Sequence, residues 1–276
     1  GAFDVQVRDS LPAGTTFMPN SLCVANGAGT AIPYTSVGGG SGLFDQGIEL
    51  TDPSNIQGAL TAYDAASGTN ILVITYDVVL ADTVSYNQSL VNTTTLFNYA
   101  GNNGGPDHTE TDLTDTAQIT SLPLTASKAF GGTSLNHATN TNLQAVIGET
   151  VNYSVTITLP EGQIPNLRVV DTLDAGYAYV KCNSIAASAG LSTDLSGGFP
   201  AVCPTTPENP AVNPTIAGSV VTYNLGNVSN SNRDNTTLET IMIEYQVVVL
   251  NDINNQSGTV LDNMVDIRSG GDTIVN

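Results

Sequence analysis

Positive charge is scarce in this sequence. Only six Lys and Arg residues stand against 25 Asp and Glu residues in a chain of 276, giving a formal net charge of −19. Nucleic acids and anionic membrane surfaces are bound through clustered cations, so this balance argues against both as partners. Excess carboxylate instead favours solubility and offers oxygen ligands to hard cations such as calcium.

Long apolar runs are also missing. No stretch approaches the roughly 20 residues of a membrane-spanning helix, so we expect no direct membrane insertion. The chain shows neither a signal peptide nor a start methionine, and it opens directly on a strand-like segment. We therefore expect it to be a piece of a longer polypeptide.

Catalytic signatures are absent. His108 and His137 lie in polar segments without a neighbouring Ser or Cys motif, and neither GxSxG nor HExxH occurs. We therefore predict that the protein is not an enzyme acting on a separate substrate and that it requires no cofactor.

Cysteines number three. Cys182 and Cys203 flank the segment LSTDLSGGF, and a disulfide between them would contribute about 3 kcal/mol. The alternative is a pair of small buried thiols. A disulfide suits the extracellular protein that the rest of the chain indicates, whereas Cys23 has no evident partner.

Strand patterns dominate what is present. VNYSVTITL (151–159) alternates strictly between apolar and polar residues, which is typical of a half-buried antiparallel strand. Short strands separated by Gly, Pro, Asn and Asp predict an all-β fold of tandem immunoglobulin-like antiparallel β-sandwiches. The segments 27–70 and 183–238 are interpreted as long loops in which binding specificity would reside.

The chain contains an internal repeat. Three pairs of segments match in the same order, at offsets of 162, 169 and 171 residues: FDVQVRDSLPAGTTF (3–17) with PNLRVVDTLDAGYAY (165–179), ILVITYDVVLAD (71–82) with TIMIEYQVVVLND (240–252), and LVNTTTL (90–96) with LDNMVDI (261–267). We predict a first β-sandwich repeat at 1–121, without its opening strands, and a second at 122–276.

Three polar residues occur where alternation calls for core side chains. They are Lys128 in LTASKAF, Asp171 in LRVVDTL and Asn263 in LDNMVDI. Burying any one of them alone would be costly, so we expect them to partner one another. A desolvated lysine amine is a nucleophile, and a buried aspartic acid stays protonated and can polarise an amide. Attack of Lys128 on the Asn263 amide, assisted by Asp171, would leave an isopeptide crosslink and release ammonia.

Separate explanations exist for each of the three residues. Asp171 could cap the following turn, Lys128 could extend along an edge strand with its charge in water, and Asn263 could satisfy a bulge. The sequence leaves these alternatives open.

The order of these residues around GETVNYSVTI (148–157) and VVDTLDAG (169–176) resembles the conserved repeat domain of large bacterial and archaeal surface proteins. It is also similar to the isopeptide-forming domains of Gram-positive pilins and adhesins. That resemblance implies Lys128 and Asn263 as the crosslinked pair, with Asp171 as the assisting acid. Asp9 and Asn92 occupy the equivalent places in the first repeat, whose lysine would precede Gly1.

The acidic run PDHTETDLTD near the repeat boundary places Asp107, Glu110, Asp112 and Asp115 close together. Its oxygen ligands could hold calcium and stiffen the junction. The alternative is a solvated acidic turn, because no EF-hand or nonapeptide pattern is present.

We expect an extracellular, cell-surface stalk or fibre segment, partnered by other repeats of the same longer chain and by like subunits in a fibre. The alternative is a module that binds a carbohydrate or protein ligand through its long loops. Trp is absent and aromatic residues make up only 6% of the chain, which argues mildly against an exposed aromatic binding platform.

Overall fold

The computed structural model describes residues 1–52, 58–81, 83–135, 144–204, 213–234, 236–253 and 255–275. Over these ranges the structure contains β-strands and two short 3₁₀ segments, Val37–Gly39 and Phe199–Val202, with no α-helix. The strands are β1 (Phe3–Ser10), β2 (Thr15–Phe17), β3 (Cys23–Asn26), β4 (Tyr34–Ser36), β5 (Ile48–Leu50), β6 (Leu72–Thr75), β7 (Val78–Leu80), β8 (Ser89–Ala100), β9 (Leu113–Thr120), β10 (Thr125–Thr133), β11 (Thr150–Leu159), β12 (Gly162–Leu173), β13 (Tyr177–Ala187), β14 (Leu191–Thr193), β15 (Thr215–Ala217), β16 (Val220–Asn230), β17 (Glu239–Val249), β18 (Asn263–Ser269) and β19 (Asp272–Val275).

The all-β, antiparallel architecture is as predicted. No helix in the described ranges has both the length and the apolar character needed to cross a membrane. The chain forms two compact units, one of Gly1–Ala81 with Ser89–Thr120 and the other of Asp82–Gln88 with Ser121–Asn276. The segment around Val84 therefore packs with the second unit, where the Gln163 amide donates to the Val84 carbonyl at 3.5 Å.

The second unit is an immunoglobulin-like β-sandwich. One sheet has the order β10-β11-β17-β13, and the other has the order β14-β16-β12-β18-β19, with β15 paired to β16. Alternate side chains of both sheets point inward and form one buried cluster that includes Val155, Ile243, Val169 and Ile267. Burial of this apolar surface, at roughly 25 cal/mol per Å², holds the two sheets together.

The strand β11 illustrates how the sequence pattern produces this core. Its buried positions alternate with partly exposed ones, and Val151, Val155, Ile157 and Leu159 are almost completely buried. It pairs antiparallel with β10 on one side and with β17 on the other. The predicted half-buried antiparallel strand is thus present, with apolar residues of the predicted face in the core.

The first unit has a five-stranded sheet of order β4-β5-β1-β8-β9 and two strand pairs, β2-β7 and β3-β6. Its core is smaller and centres on Val5, Val7, Ile48 and Leu50. Tyr76 packs against this core between β6 and β7. In the described ranges, β6 and β7 are hydrogen-bonded to a neighbouring strand on one side only.

The interpretation of 27–70 and 183–238 as long loops was wrong. The first segment contains β4 and β5, and the second contains β14, β15 and all of β16, which lies beside β12 in the sheet. Gly226 explains much of the error, because a glycine within a strand reads as a turn. Here it adopts a positive φ of 72° at a break in the register between β12 and β16, as at a β-bulge.

Candidate crosslinking site

The two sheets of the second unit bring the three predicted residues together. Lys128 lies on β10 and Asp171 on β12, while Asn263 begins β18 directly opposite Leu173 of β12. Lys128 therefore belongs to one sheet, and Asp171 and Asn263 belong to the facing one. Each of the three positions faces inward because it alternates in step with the core residues of its own strand.

A continuous chain of polar contacts runs from Lys128 to Asn263. The Lys128 Nζ lies 2.6 Å from Asp171 Oδ2, and the side chains are 13% and 0% exposed respectively. The Tyr245 hydroxyl donates to the same Asp171 oxygen. The Asn263 Nδ2 in turn donates to the Tyr245 hydroxyl at 3.2 Å.

Aromatic rings surround the lysine amine. Its Nζ lies 5.0 Å from the ring centroid of Tyr153 and 5.6 Å from that of Tyr245. These two rings stack with their centroids 5.9 Å apart, and Tyr179 stacks on Tyr245 from another side. The rings keep water away from the site, which strengthens its electrostatic interactions.

Burial moves the pKa values of the lysine and the aspartate in opposite directions. Desolvation lowers the pKa of Lys128, although the nearby Asp171 carboxylate opposes this change. Desolvation likewise raises the pKa of Asp171, against the opposing effects of Lys128 and Tyr245. Both shifts favour a neutral amine beside a neutral carboxylic acid.

Two buried oxygens at the site have no hydrogen-bond partner among the described residues. They are Asp171 Oδ1 and Asn263 Oδ1. The asparagine oxygen is always an acceptor, and so is the Asp171 oxygen when the carboxylate is ionised. A proton on Asp171 would supply a donor where two acceptors now lie unpaired, because a carboxylic acid donates one hydrogen bond. The unpaired oxygens are therefore in keeping with the direction in which the pKa of Asp171 is shifted.

The contacts in the structure argue against the three alternatives that the sequence left open, which were turn capping by Asp171, a solvent-exposed Lys128 charge and a bulge at Asn263. The turn after β12 is capped by Asp174, whose Oδ1 accepts from the Gly176 amide at 3.0 Å, and not by Asp171. The ammonium end of Lys128 points to Asp171 and not to solvent. Asn263 pairs in regular register with Leu173.

Sequence reasoning missed Tyr245, which links Asp171 to Asn263. Its place in the alternating β17 is that of an ordinary core aromatic residue. A signal was nevertheless present, because the matched segments at 71–82 and 240–252 align Tyr76 with Tyr245. A tyrosine that recurs with the acid and the asparagine is a better candidate for the site than one that occurs once.

The first unit contains a similar group without a lysine. The Asn92 Nδ2 donates to Asp9 Oδ2 and to the Tyr76 hydroxyl, each at 3.1 Å. The Thr94 hydroxyl also donates to Asp9 Oδ2, at 2.7 Å. Asp9 is buried, and its Oδ1 and that of Asn92 have no hydrogen-bond partner in the described part of the chain.

A disulfide joins Cys182 to Cys203, as predicted, with their Cα atoms 5.4 Å apart. It ties β13 to the segment after the 3₁₀ turn Phe199–Val202. Cys23 is free and exposed.

The acidic run gains no support as a calcium site. Asp107 Oδ1 accepts hydrogen bonds from the Thr109 hydroxyl and amide at 2.6 and 2.7 Å, and these bonds lower its pKa. The structure, in the ranges it describes, brings together no group of three or more His, Cys, Asp or Glu residues that could hold a metal ion. That statement covers the four acidic positions named for calcium, Asp107, Glu110, Asp112 and Asp115.

The other sequence candidates contribute no site. His108 packs against Tyr99 with the two rings tilted and their centroids 5.5 Å apart, and His137 lies outside the described residues. A groove of about 600 Å³ in the second unit is bordered by Thr83, Ser85, Gln163, Ile164, Pro165, Ser192, Thr193, Asp194, Asn227, Val228 and Ser229. Asp194 is already engaged there, because its carboxylate accepts from the Asn227 backbone and side chain at 2.7 Å.

Comparison with known proteins gives distant structural likeness only. No family model matches the chain. No curated protein matches it either.

Among solved structures, the C-terminal domain of the Streptococcus agalactiae antigen I/II polypeptide BspA aligns with 14% identity and a TM-score of 0.42, over 100% of this chain and 82% of that one. The C-terminal domain of the Streptococcus pyogenes antigen I/II-family protein AspA aligns with 12% identity and a TM-score of 0.36, over 99% and 83%. BcpA, the major pilin subunit of Bacillus cereus, aligns with 12% identity and a TM-score of 0.32, over 97% and 63%.

Proposed function

We propose that this chain is a structural segment of an extracellular, cell-surface stalk or fibre. Its second unit is locked by an amide bond between Lys128 Nζ and the side-chain carbonyl carbon of Asn263. The observation that supports this proposal is the buried chain of contacts from Lys128 through Asp171 and Tyr245 to Asn263. The Lys128 and Asp171 side chains are only 13% and 0% exposed, which fits a reaction within the chain better than one on an external molecule.

The chemistry uses only groups of the chain. The neutral Lys128 amine attacks the Asn263 carbonyl carbon while the protonated Asp171 donates to Asn263 Oδ1 and stabilises the oxyanion. Asp171 then carries a proton from the attacking nitrogen to the departing Asn263 nitrogen. One C–N bond forms, one C–N bond breaks, and one ammonia leaves.

Tyr245 has a positioning role in this scheme. Its hydroxyl contacts both Asp171 and Asn263, so it fixes the amide relative to the acid. Burial raises the pKa of Tyr245, so the hydroxyl keeps its proton and remains a donor. Tyr245 is not itself required to transfer a proton.

The position of the bond explains its use in a stalk. Lys128 lies on the edge strand of one sheet, and Asn263 lies in the facing sheet near the end of the unit. Pulling force that enters at β10 would pass through the covalent bond before it loads the strands between. Backbone hydrogen bonds contribute only about 1 kcal/mol each and fail one after another, whereas an amide bond does not.

Other features agree with an extracellular fibre. The Cys182–Cys203 disulfide belongs to an oxidising compartment. The matched segments support a tandem arrangement, in which further repeats of a longer chain and like subunits are the expected partners. The net charge of −19 would keep such a surface soluble.

A pulling experiment on single molecules tests the mechanical part of this proposal. Under reducing conditions, the wild-type chain should not release the segment that joins positions 128 and 263, which are 135 residues apart (263 − 128). The variant Lys128→Ala should release it, with a gain in contour length of roughly 450–490 Å at 3.3–3.6 Å per residue.

The control is Lys181→Ala, which removes the chain's other lysine from an exposed position on β13. This variant should extend like the wild type. Equal extension of the wild type and Lys128→Ala would contradict the proposed bond and the load-bearing role that rests on it.

A further inference from the structure

The first unit has an inner face that is left uncovered among the described residues. In the second unit the inward residues of β17 are at most 5% exposed, from Ile241 at one end to Val249 at the other. The aligned residues of the first unit are Leu72, Ile74, Tyr76, Val78 and Leu80. Of these, Val78 and Leu80 are 39% and 42% exposed, and the others are only partly buried.

Strand pairing shows what is missing from this face. The second-unit strand β17 lies between β13 and β11, and β11 carries the edge strand β10 beyond it. The first-unit strands β6 and β7 pair with β3 and β2, which follow β1 in the chain as β13 follows β12. The uncovered side therefore corresponds to the place of β11 and β10 in the second unit.

The group of Asp9, Tyr76 and Asn92 adjoins that uncovered side, because Tyr76 lies between β6 and β7. Asp9 is 5% exposed, and Asn92 contacts the Tyr76 hydroxyl as Asn263 contacts that of Tyr245. Asn92 also donates directly to Asp9. In the second unit the lysine comes from β10, one of the two strands with no counterpart in the described part of the first unit. The residues that would assist and accept an amine are thus present without the strand that would deliver one.

We propose that the first unit is an acceptor for a two-stranded β-segment from outside the described residues, whose edge strand carries an inward lysine that becomes bonded to Asn92. The incoming inner strand pairs with β6 and β7 by β-augmentation and covers Val78 and Leu80. The lysine on the outer strand then reaches Asp9 and Asn92. This inference rests on the amine–amide chemistry proposed for Lys128.

A second copy of this chain is a poor source for the segment. Its own β10 and β11 are built into the second unit, where Val151, Val155 and Ile157 are completely buried. Donating them would require that unit to open. A hairpin that is not already built into a folded unit avoids this opening. It needs only the apolar–polar alternation of β10 and β11 and one inward lysine.

The bond-forming step balances as it does at Lys128. The amine nitrogen bonds to the Asn92 side-chain carbonyl carbon, the bond from that carbon to Nδ2 breaks, and Asp9 carries the proton to the departing nitrogen. One ammonia is released for each segment joined. The incoming amine also displaces the Thr94 hydroxyl from Asp9 Oδ2, a contact for which the aligned Val265 offers no equivalent.

A fusion chain provides the test. A duplicate of residues 122–162 is joined directly to Gly1, which places its lysine 43 residues before Asp9, the same separation as between Lys128 and Asp171. After reduction, the intact mass should fall short of the sequence mass by one ammonia more than it does in the same fusion with the duplicated lysine changed to Ala. Peptide mapping should show the duplicated lysine bonded to Asn92, and Asn92→Ala should abolish the loss.

Three further measurements make the outcome decisive. Amide exchange at β6 and β7 should slow in the fusion and also in its Lys→Ala form, because docking precedes bonding. Thr94→Val should leave the ammonia loss in place. If no ammonia is lost from Asn92, the inference is overturned, whether or not amide exchange slows. A covalent dimer of the unfused chain linked at Asn92 would also overturn it. Mapping of Asn263 in the same sample reports separately on the second-unit bond.

Discussion

At the scale of single residues, burying Lys128 and Asp171 as a charged pair costs free energy. Removing two charges from water costs several kcal/mol each, and their mutual attraction offsets this only with good geometry. The short contact to Asp171 Oδ2 and the surrounding tyrosines supply that geometry. The same burial that destabilises the charged forms of Lys128 and Asp171 favours their neutral, reactive forms.

Replacing Lys128 should make stability depend on pH. In Lys128→Ala the desolvation of Asp171 loses its main opposing effect, so the already raised pKa of Asp171 rises further. A folded-state pKa above the unfolded value means that stability is lost as pH rises from the unfolded value, near 4, through the folded one. The melting temperature should therefore be higher at pH 4 than at pH 7. The unpaired Asp171 carboxylate should cost about 3–5 kcal/mol at neutral pH, in addition to the stabilisation lost with the crosslink.

The double variant Lys128→Ala with Asp171→Asn is the control for this effect. It contains no carboxylic acid at the site, so the melting temperature should change less between pH 4 and pH 7 than it does in Lys128→Ala. If Lys128→Ala melts at the same temperature at pH 4 and at pH 7, Asp171 is not desolvated as described.

Removing the hydroxyl of Tyr245 should slow crosslinking without unfolding the second unit. Tyr245→Phe keeps the stacked ring but removes the contact that positions Asn263 relative to Asp171. A lost hydrogen bond of about 1–1.5 kcal/mol corresponds to a rate roughly tenfold lower. Mass spectra of freshly refolded protein should show an unreacted fraction that declines with time.

Tyr179→Phe serves as the matched change, since Tyr179 stacks on the same ring but does not contact Asp171 or Asn263 through its hydroxyl. It should react like the wild type. If the two variants react at the same rate, Tyr245 acts only as a packing residue.

At the scale of strands, the sequence predicted the elements whose burial follows a strict period of two. The alternation of β11 and the inward phases of Lys128, Asp171 and Asn263 are all found in the structure. Short strands such as β5 and β14 escaped prediction because three residues carry no periodicity and pairing partners lie far away in the chain. Tyr245 escaped because an inward tyrosine does not reveal what its hydroxyl contacts.

The disulfide should stabilise the second unit by a predictable amount. It spans 21 residues, for which the chain-entropy model gives about 3 kcal/mol. The double variant Cys182→Ser with Cys203→Ser should therefore melt at a lower temperature, whereas Cys23→Ser, at an exposed free cysteine, should not change it. Melting followed by calorimetry without reductant checks both, and equal melting of all three chains would contradict a stabilising disulfide.

At the scale of the whole molecule, one covalent bond would change how the second unit responds to force and heat. Closing a loop of 135 residues (263 − 128) destabilises the unfolded state by about 5 kcal/mol on the chain-entropy model. That is a large share of the 5–15 kcal/mol that stabilises a typical domain. The proposed stalk therefore depends on whether this single bond forms.

The intact mass of the reduced, full-length chain tests that bond most directly. The account predicts a mass lower by one ammonia than the sequence requires, with Lys128 and Asn263 recovered in one branched peptide after digestion. Lys128→Ala and Asn263→Ala should each have the full mass of their sequences. A wild-type chain at its full sequence mass, with Lys128 recovered as a free amine, would contradict the account.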